Sequence, residues 1–303
     1  VPADRPAHPG APERAGAVTG CRQNGRPLMT ARRGERKAAH SGATRVDFGP
    51  EKSVHGLSWG QQHGGYFGSP EVARAMVDAV RGIWRPANPD AVVDLGGGTG
   101  YFLGQLREAG LERPAALVVL DASAEQLGQA EAAGLTCVQG SVGVFRRGEV
   151  APAGGRVLYV MRSVLHYAGE QGWRRLLRHI RRQAETGEYW VHQTACFERR
   201  EDADCLNALY GKMRTGKWYP TVQVLGEGLE SAGWEVVSTC PAPVLHLKSG
   251  ELGMRYGLDA ADLKQIQREM IGEYGADNPV FHAAEDGFQA ELHYRIWSCR
   301  AAP

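Results

Sequence analysis

The chain has 303 residues, 43% hydrophobic and 23% charged, with 35 basic and 34 acidic side chains for a net charge of +1. That balance suits one large globular domain, or one with a substantial insertion, and gives no global field that would draw the chain to nucleic acid or an anionic membrane. No apolar run reaches the roughly 20 residues of a membrane span. The six cysteines show neither a C-x-x-C pair nor a zinc-type histidine spacing, so reduced thiols, no bound metal and a cytoplasmic location are expected.

Residues 1–45 are rich in Pro, Gly, Ala and Arg and lack an apolar period. Such a segment buries too little to offset its ordering entropy and reads as a disordered basic tail. Its first residue is Val, and a Met stands at position 29. Residues 1–28 would therefore lie outside the native protein if native material were found to begin at Met29. Residues 46–90 read as an N-terminal helical cap. Ser69 can accept from the first helical N–H groups, Pro70 suits the first helical position, and Val72, Met76, Val77 and Val80 follow at helical spacing.

From residue 91 strands and helices alternate. "AVVDL" is a strand, and "TGYFLGQLREAG" a helix closed by Gly110. "ALVVLD" is the next strand, and Ser123 and Gln126 have capping-box spacing on the helix that Gly134 ends. "LTCVQG" and "RVLYVM" are short apolar runs of the kind buried on both faces. In "GWRRLLRHIRRQ", Trp173, Leu176, Leu177 and Ile180 share one helix face and the arginines cover the others, as on a helix packed against a sheet. "YWVHQTACF", "WEVVSTC" and a final "AELHYRIWSC" complete the strands. The pattern predicts an α/β fold, a doubly wound, mostly parallel seven-stranded sheet.

In such a sheet ligands sit beyond the carboxyl ends of the strands, where the first strand meets its helix. "DLGGGTG" occupies that place. The dinucleotide pattern G-x-G-x-x-G fails, because counting from Gly96 puts Tyr101 at the third glycine position. Gly96, Gly98 and Gly100 instead form a G-x-G-x-G loop behind Asp94. A carboxylate there would repel a diphosphate and suits a ligand bearing an ammonium and a sulfonium.

"VVDLGGGTG" resembles motif I of the class I S-adenosylmethionine-dependent methyltransferases, and the resemblance runs over roughly residues 91 to 240 plus the last strand. It implies S-adenosylmethionine as cofactor and S-adenosylhomocysteine as product. Asp94, Gly96, Gly97, Gly98 and Gly100 would lie against the amino-acid and ribose portion. Asp121 would accept from both ribose hydroxyls, and Ala122 would edge the adenine. Many members carry an acid after the third strand. This chain has "VQGSVGVF" instead, so Gly140, Ser141 and Val142 are expected at the adenine. Met161, Arg162 and Ser163 would face the methionine end.

"SVLHYAGE" resembles the segment of small-molecule methyltransferases, including the plant-type O-methyltransferases, whose histidine is the base. His166 is the catalytic candidate. It either takes a proton from the acceptor or packs the helix start, and Tyr167 and Ala168 stand where the plant-type pattern has Asp and Trp. Tyr167, His63 and Tyr66, with the neighbouring Phe67, are expected to meet the acceptor. So are Arg214, Trp218 and Tyr219 of "GKMRTGKWYPT", a mixture suited to an aromatic or carboxylate-bearing ligand.

Between the last two strands, where family members have a short hairpin, residues 241–289 form a helical insertion. Asp259 caps a helix there, with Leu263, Ile266 and Met270 on one face. Such an insertion serves as a lid or as a homodimer contact. The expected activity is methyl transfer to a small molecule, to oxygen first and to nitrogen or carbon next, in biosynthetic or secondary metabolism, with neither membrane nor nucleic acid as partner. An RNA or protein methyltransferase, and a methyltransferase fold repurposed for a non-methylating reaction, are the competing readings.

Overall fold

The computed structural model describes residues 63–111 and 115–303. The expected basic tail over 1–45 and the first part of the expected cap, 46–62, lie outside the described residues.

A 3-10 helix, His63–Gly68, leads into α1 (Pro70–Ala87). The Oγ of Ser69 accepts from Val72 N at 3.3 Å, which caps α1 as the sequence predicts. There follow β1 (Ala91–Leu95), α2 (Tyr101–Glu108), β2 (Ala116–Asp121), α3 (Ala124–Ala132), β3 (Thr136–Gln139), α4 (Arg147–Val150) and β4 (Val157–Arg162). A second 3-10 helix, Leu165–Ala168, precedes α5 (Gly169–Gln183), β5 (Tyr189–Ala195), α6 (Arg200–Lys212), α7 (Val222–Ser231) and β6 (Trp234–Pro241). The last elements are β7 (Leu245–Lys248), α8 (Ser249–Tyr256), α9 (Ala260–Tyr274), β8 (Asp277–Asn278), β9 (Phe281–Ala284), β10 (Gly287–Leu292) and β11 (Tyr294–Ala301). Among the described residues no helix is long and apolar enough to cross a membrane.

Seven strands form the main sheet in the order β3-β2-β1-β4-β5-β11-β6. Strand β11 runs antiparallel to β5 and β6, and the other pairs are parallel. Alternate residues of each strand enter opposite layers. Val93, Leu95, Tyr159 and Met161 pack with Trp173, Leu176, Leu177 and Ile180 of α5. Val92, Leu158, Val160 and Val191 pack with Met76, Val80 and Ile83 of α1 and with Phe102 and Leu103 of α2. The arginines at 174, 175 and 178 stay on the solvent side of α5, as expected.

Three expectations need correction. Helix α1 is not a separate cap, since its apolar stripe is one half of the layer that covers the main sheet. The insertion is not purely helical. Beside α8 and α9 it holds a second, antiparallel sheet in the order β7-β10-β9-β8. "AELHYRIWSC" is not one strand, because it breaks at His293 and divides between the two sheets. The insertion's apolar residues, among them Leu245, Leu252, Met270 and Phe288, form a third core with Leu206 and Leu209 of α6 and Tyr66 and Phe67 of the first 3-10 helix.

Candidate functional site

Strand parity assembles the site. Asp94 pairs in register with Val119 of β2 and Val160 of β4. Asp121 and Arg162 each lie two residues further along, so all three side chains emerge on one face at the carboxyl edge. They line a cavity of about 480 Å³ together with Gly96, Gly97, Gly98, Ala122 and Ser163. The same parity sends Met161 to the opposite face, where it is fully buried in the α5 layer, so its expected cofactor contact is not made.

The glycine loop is tight chiefly because protein atoms press on it. A Cβ at Gly97 would stand 2.5 Å from the carboxyl carbon of Asp94, and one at Gly96 would stand 2.8 Å from a Val164 methyl. Gly98 has φ +55°, and its N–H donates to Asp121 Oδ2 at 2.9 Å. Asp121 Oδ1 accepts from Ser123 N at 2.8 Å. One carboxylate thereby fixes both the loop and the start of α3. Gly100 caps α2 and turns toward Leu135, away from the cavity, contrary to the contact expected of it. The capping box expected at Ser123 is one-sided. Ser123 Oγ accepts from Gln126 N at 3.3 Å, while the Gln126 side chain lies toward Gly98 and lines the cavity.

Gly140, Ser141 and Val142 do not line the cavity. Gly140 N donates to Asp121 O at 2.9 Å, the Ser141 hydroxyl accepts from Gly143 N at 3.3 Å, and Val142 is buried with Phe145 in the core. All three serve the turn after β3. Tyr101, Gln126 and Val164 line the cavity without having been expected there. The first two follow the glycine loop and the second acid at helical spacing, which is the signal that could have found them.

Arg162 closes the cavity on the side of the first 3-10 helix. Its Nη1 donates to Phe67 O at 3.0 Å and its Nη2 to Tyr66 O at 3.4 Å. Burial draws its pKa below the usual arginine value, countered by Tyr66, Tyr101, Tyr294 and Asp94. Phe67 lines the cavity, whereas Tyr66 lies behind it, its hydroxyl donating to Pro243 O at 2.6 Å. The side chain of His63 lies outside the described residues.

A second, smaller cavity of about 20 Å³ adjoins the first and shares Phe67, Ser163 and Tyr167 with it. His166 and Tyr219 line this one and not the larger. The His166 ring is 4.3 Å from Tyr167 and 5.5 Å from Tyr219, centre to centre. Arg214 and Trp218 line neither. Arg214 is exposed at φ +55°, and Trp218 stacks on Trp173 at 5.3 Å. From the same loop Lys217 turns inward, and Arg255 of α8 joins it.

A family model described as a methyltransferase domain matches residues 70–239. The chain belongs to the class I S-adenosylmethionine-dependent methyltransferases. Two solved structures share its fold. The YcgJ protein of Bacillus subtilis is 12% identical, covering 76% of this chain and 99% of its own, with a TM-score of 0.55. A Bacillus halodurans C-125 protein described as a methyltransferase is 12% identical, covering 75% and 99%, with a TM-score of 0.56. No curated protein matches this chain in sequence.

S-adenosylmethionine is the methyltransferase's cofactor, and the residues of the larger cavity fit it. Asp94 Oδ1 and the Tyr101 hydroxyl are buried in its wall without a hydrogen-bond partner among the described residues. Burial first, and the Asp121 carboxylate second, push the Asp94 pKa up from 3.8 to about 7, against the pull of Arg162. A neutral acid offers a cationic ligand little, while an ionised one offers a counter-charge.

The direction of the pH effect follows. The folded protein without ligand holds a proton on Asp94 that the unfolded chain loses near pH 4. This group's contribution to stability therefore falls as pH rises from about 4 to about 7. Binding a cation draws the proton off, so cofactor affinity should rise by up to about tenfold per pH unit below 7 and level off above it. Titration calorimetry across that range is expected to give this curve, and a flat curve for Asp94→Asn. A flat wild-type curve would contradict it.

Proposed function

We propose that this methyltransferase moves the methyl group of S-adenosylmethionine to an oxygen of a small-molecule acceptor, with His166 as the base. The observation that carries this reading is the shared wall of Phe67, Ser163 and Tyr167, which puts a small polar chamber lined by His166 directly beside the larger cavity. Asp94 and Asp121 would hold the amino-acid and ribose portions of the cofactor, which supplies an electrophilic methyl group.

The chain's own part is positioning and proton removal. The Tyr167 and Tyr219 rings lie tilted against the His166 imidazole and limit its rotation. Further along, Trp218 N donates to His166 O at 3.3 Å, which ties the second 3-10 helix to the loop after α6. An acceptor hydroxyl entering the smaller chamber would pass its proton to the His166 imidazole, acting as a general base.

Incubation with methyl-labelled S-adenosylmethionine and a panel of hydroxylated small molecules tests the reading, and label found in no acceptor would end it. His166→Ala is expected to lower kcat by about 10²–10⁴-fold, the usual worth of a general base, with little change in cofactor affinity. Equal losses in both would make the histidine a packing residue. Asp121→Ala should weaken cofactor binding by about 1.5–3 kcal/mol, the worth of hydrogen bonds to a charged group. An unchanged dissociation constant would remove Asp121 from the ribose.

A further inference from the structure

Gln193 is fully buried in β5, on the face it shares with Val191 and Ala195. A carboxamide at such a place is costly unless its two ends are hydrogen-bonded. Both are. Its Oε1 accepts from Arg162 Nε at 3.4 Å, and its Nε2 donates to the Tyr66 hydroxyl at 3.1 Å. Tyr66 in turn donates to Pro243 O at 2.6 Å, and burial keeps its phenol protonated by raising its pKa well above the usual value. Donors and acceptors therefore run in one direction, from a cation in the cavity wall to the main chain where the insertion begins.

Register brings the amide to this arginine, since Gln193 of β5 pairs with Arg162 of β4. Arg162 Nη1 and Nη2 go to Phe67 O and Tyr66 O, so Tyr66 is held by Arg162 through its carbonyl and by Gln193 through its hydroxyl. The titratable groups that line the larger cavity with Asp94 are Asp121 of β2, Tyr101 of α2, Glu125 of α3, Arg162 of β4 and Tyr167 of the second 3-10 helix. Arg162 is the one cation among them. Burial and the Asp121 carboxylate favour a proton on Asp94, and Arg162 opposes them. Where the guanidinium sits thus bears on the pH at which the cavity gains a counter-charge for a cationic ligand.

We propose that Gln193 is a positioning residue of the cofactor site, whose carboxamide holds the Arg162 guanidinium against the larger cavity and ties it, through the Tyr66 hydroxyl, to the main chain at Pro243. This role lies at the cofactor and stands whichever acceptor is methylated. The main chain of Gln193 has a separate task that a change of side chain spares. Its carbonyl accepts from Ser163 N at 2.9 Å and so supports Ser163 at φ +60°.

The test is S-adenosylmethionine calorimetry between pH 5 and 8 on the full chain and on Gln193→Met, which keeps the bulk of the side chain and removes both hydrogen bonds. Affinity at pH 8 is expected to fall about tenfold. The pH at which affinity levels off should rise by about 0.5 or more, because a guanidinium free to swing away pulls less on Asp94. Arg162→Met should raise that pH by itself, and adding Gln193→Met to it should move neither quantity further. A residue that only packs the strand would weaken binding by one factor at every pH, and would do so again beside Arg162→Met. Either result overturns the proposal. Should Gln193→Met fail to fold, Tyr66→Phe takes its place, removing one oxygen and keeping the ring. It is expected to shift the curve in the same direction by less, and an unshifted curve overturns the proposal. Were the wild-type curve flat, the cycle is read on affinity at pH 8. There a loss that vanishes beside Arg162→Met supports the role, and equal losses with and without it refute it.

Discussion

A Gly98→Leu variant is expected to fold and to bind S-adenosylmethionine about 100-fold more weakly or not at all, as measured by titration calorimetry. Three features of the loop converge on this position. Its φ of +55° lies in the left-handed region, which costs an L-residue about 1–2 kcal/mol. A Cβ would fall on the Gln126 carboxamide. The Gly98 N–H to Asp121 Oδ2 bond, at 2.9 Å, sets the acid that would meet the ribose. Moving the loop to admit a side chain thus displaces both the wall and the carboxylate. Gly98→Ala adds only the Cβ, which meets the movable end of the Gln126 side chain, and should show the smaller effect, a drop of about tenfold. Wild-type affinity in the leucine variant would mean that the cofactor does not lie along this loop.

Glu188→Ala is expected to lower unfolding free energy by about 3 kcal/mol with cofactor affinity unchanged, as read by urea denaturation and calorimetry. Glu188 is 5% exposed and sits at the amino ends of β4 and β5, the edge of the sheet opposite the site. Its carboxylate accepts from Arg147 Nη1 at 2.6 Å, Arg147 Nη2 at 2.7 Å, Val157 N at 2.6 Å and Glu185 N at 2.8 Å. Removing it strands the buried Val157 amide and takes two hydrogen bonds from a guanidinium that keeps Glu185 Oε1 at 3.2 Å and Gln183 O at 3.3 Å, and the buried amide left without a partner is the expensive part. Glu188→Gln keeps acceptors for the amides and should cost less. A loss under 1 kcal/mol would show that the network contributes little.

Part of the larger cavity's wall was open to sequence reasoning, because Asp94, Asp121 and the loop between them are set by position along successive strands. Met161 and Arg162 show the limit. Both end the fourth strand, and only the register beside β1 says which of two adjacent residues lines the cavity. The loop after α6 poses the same problem in another form. It offers Lys212, Arg214 and Lys217, and tertiary contacts decide among them. Lys212 pairs with Glu269 and Glu273 of α9, Arg214 stays in solvent, and Lys217 goes inward. Arg255 carried no signal at all, since nothing local distinguishes a helical arginine that will be buried by a neighbouring element. The break at His293 was invisible for a related reason: alternation continues through it, while the chain passes from one sheet to the other.

The main sheet also dictates how this architecture tolerates change. Pro241, where the long excursion departs, pairs in register with Arg295, where it has just returned, and Ala242 N donates to Tyr294 O at 2.9 Å. Departure and return are held together by the ladder itself, so lengthening or shortening the excursion costs closure entropy that grows only logarithmically. A change of length in that segment is therefore expected to leave the strands that carry Asp94, Asp121 and Arg162 in place.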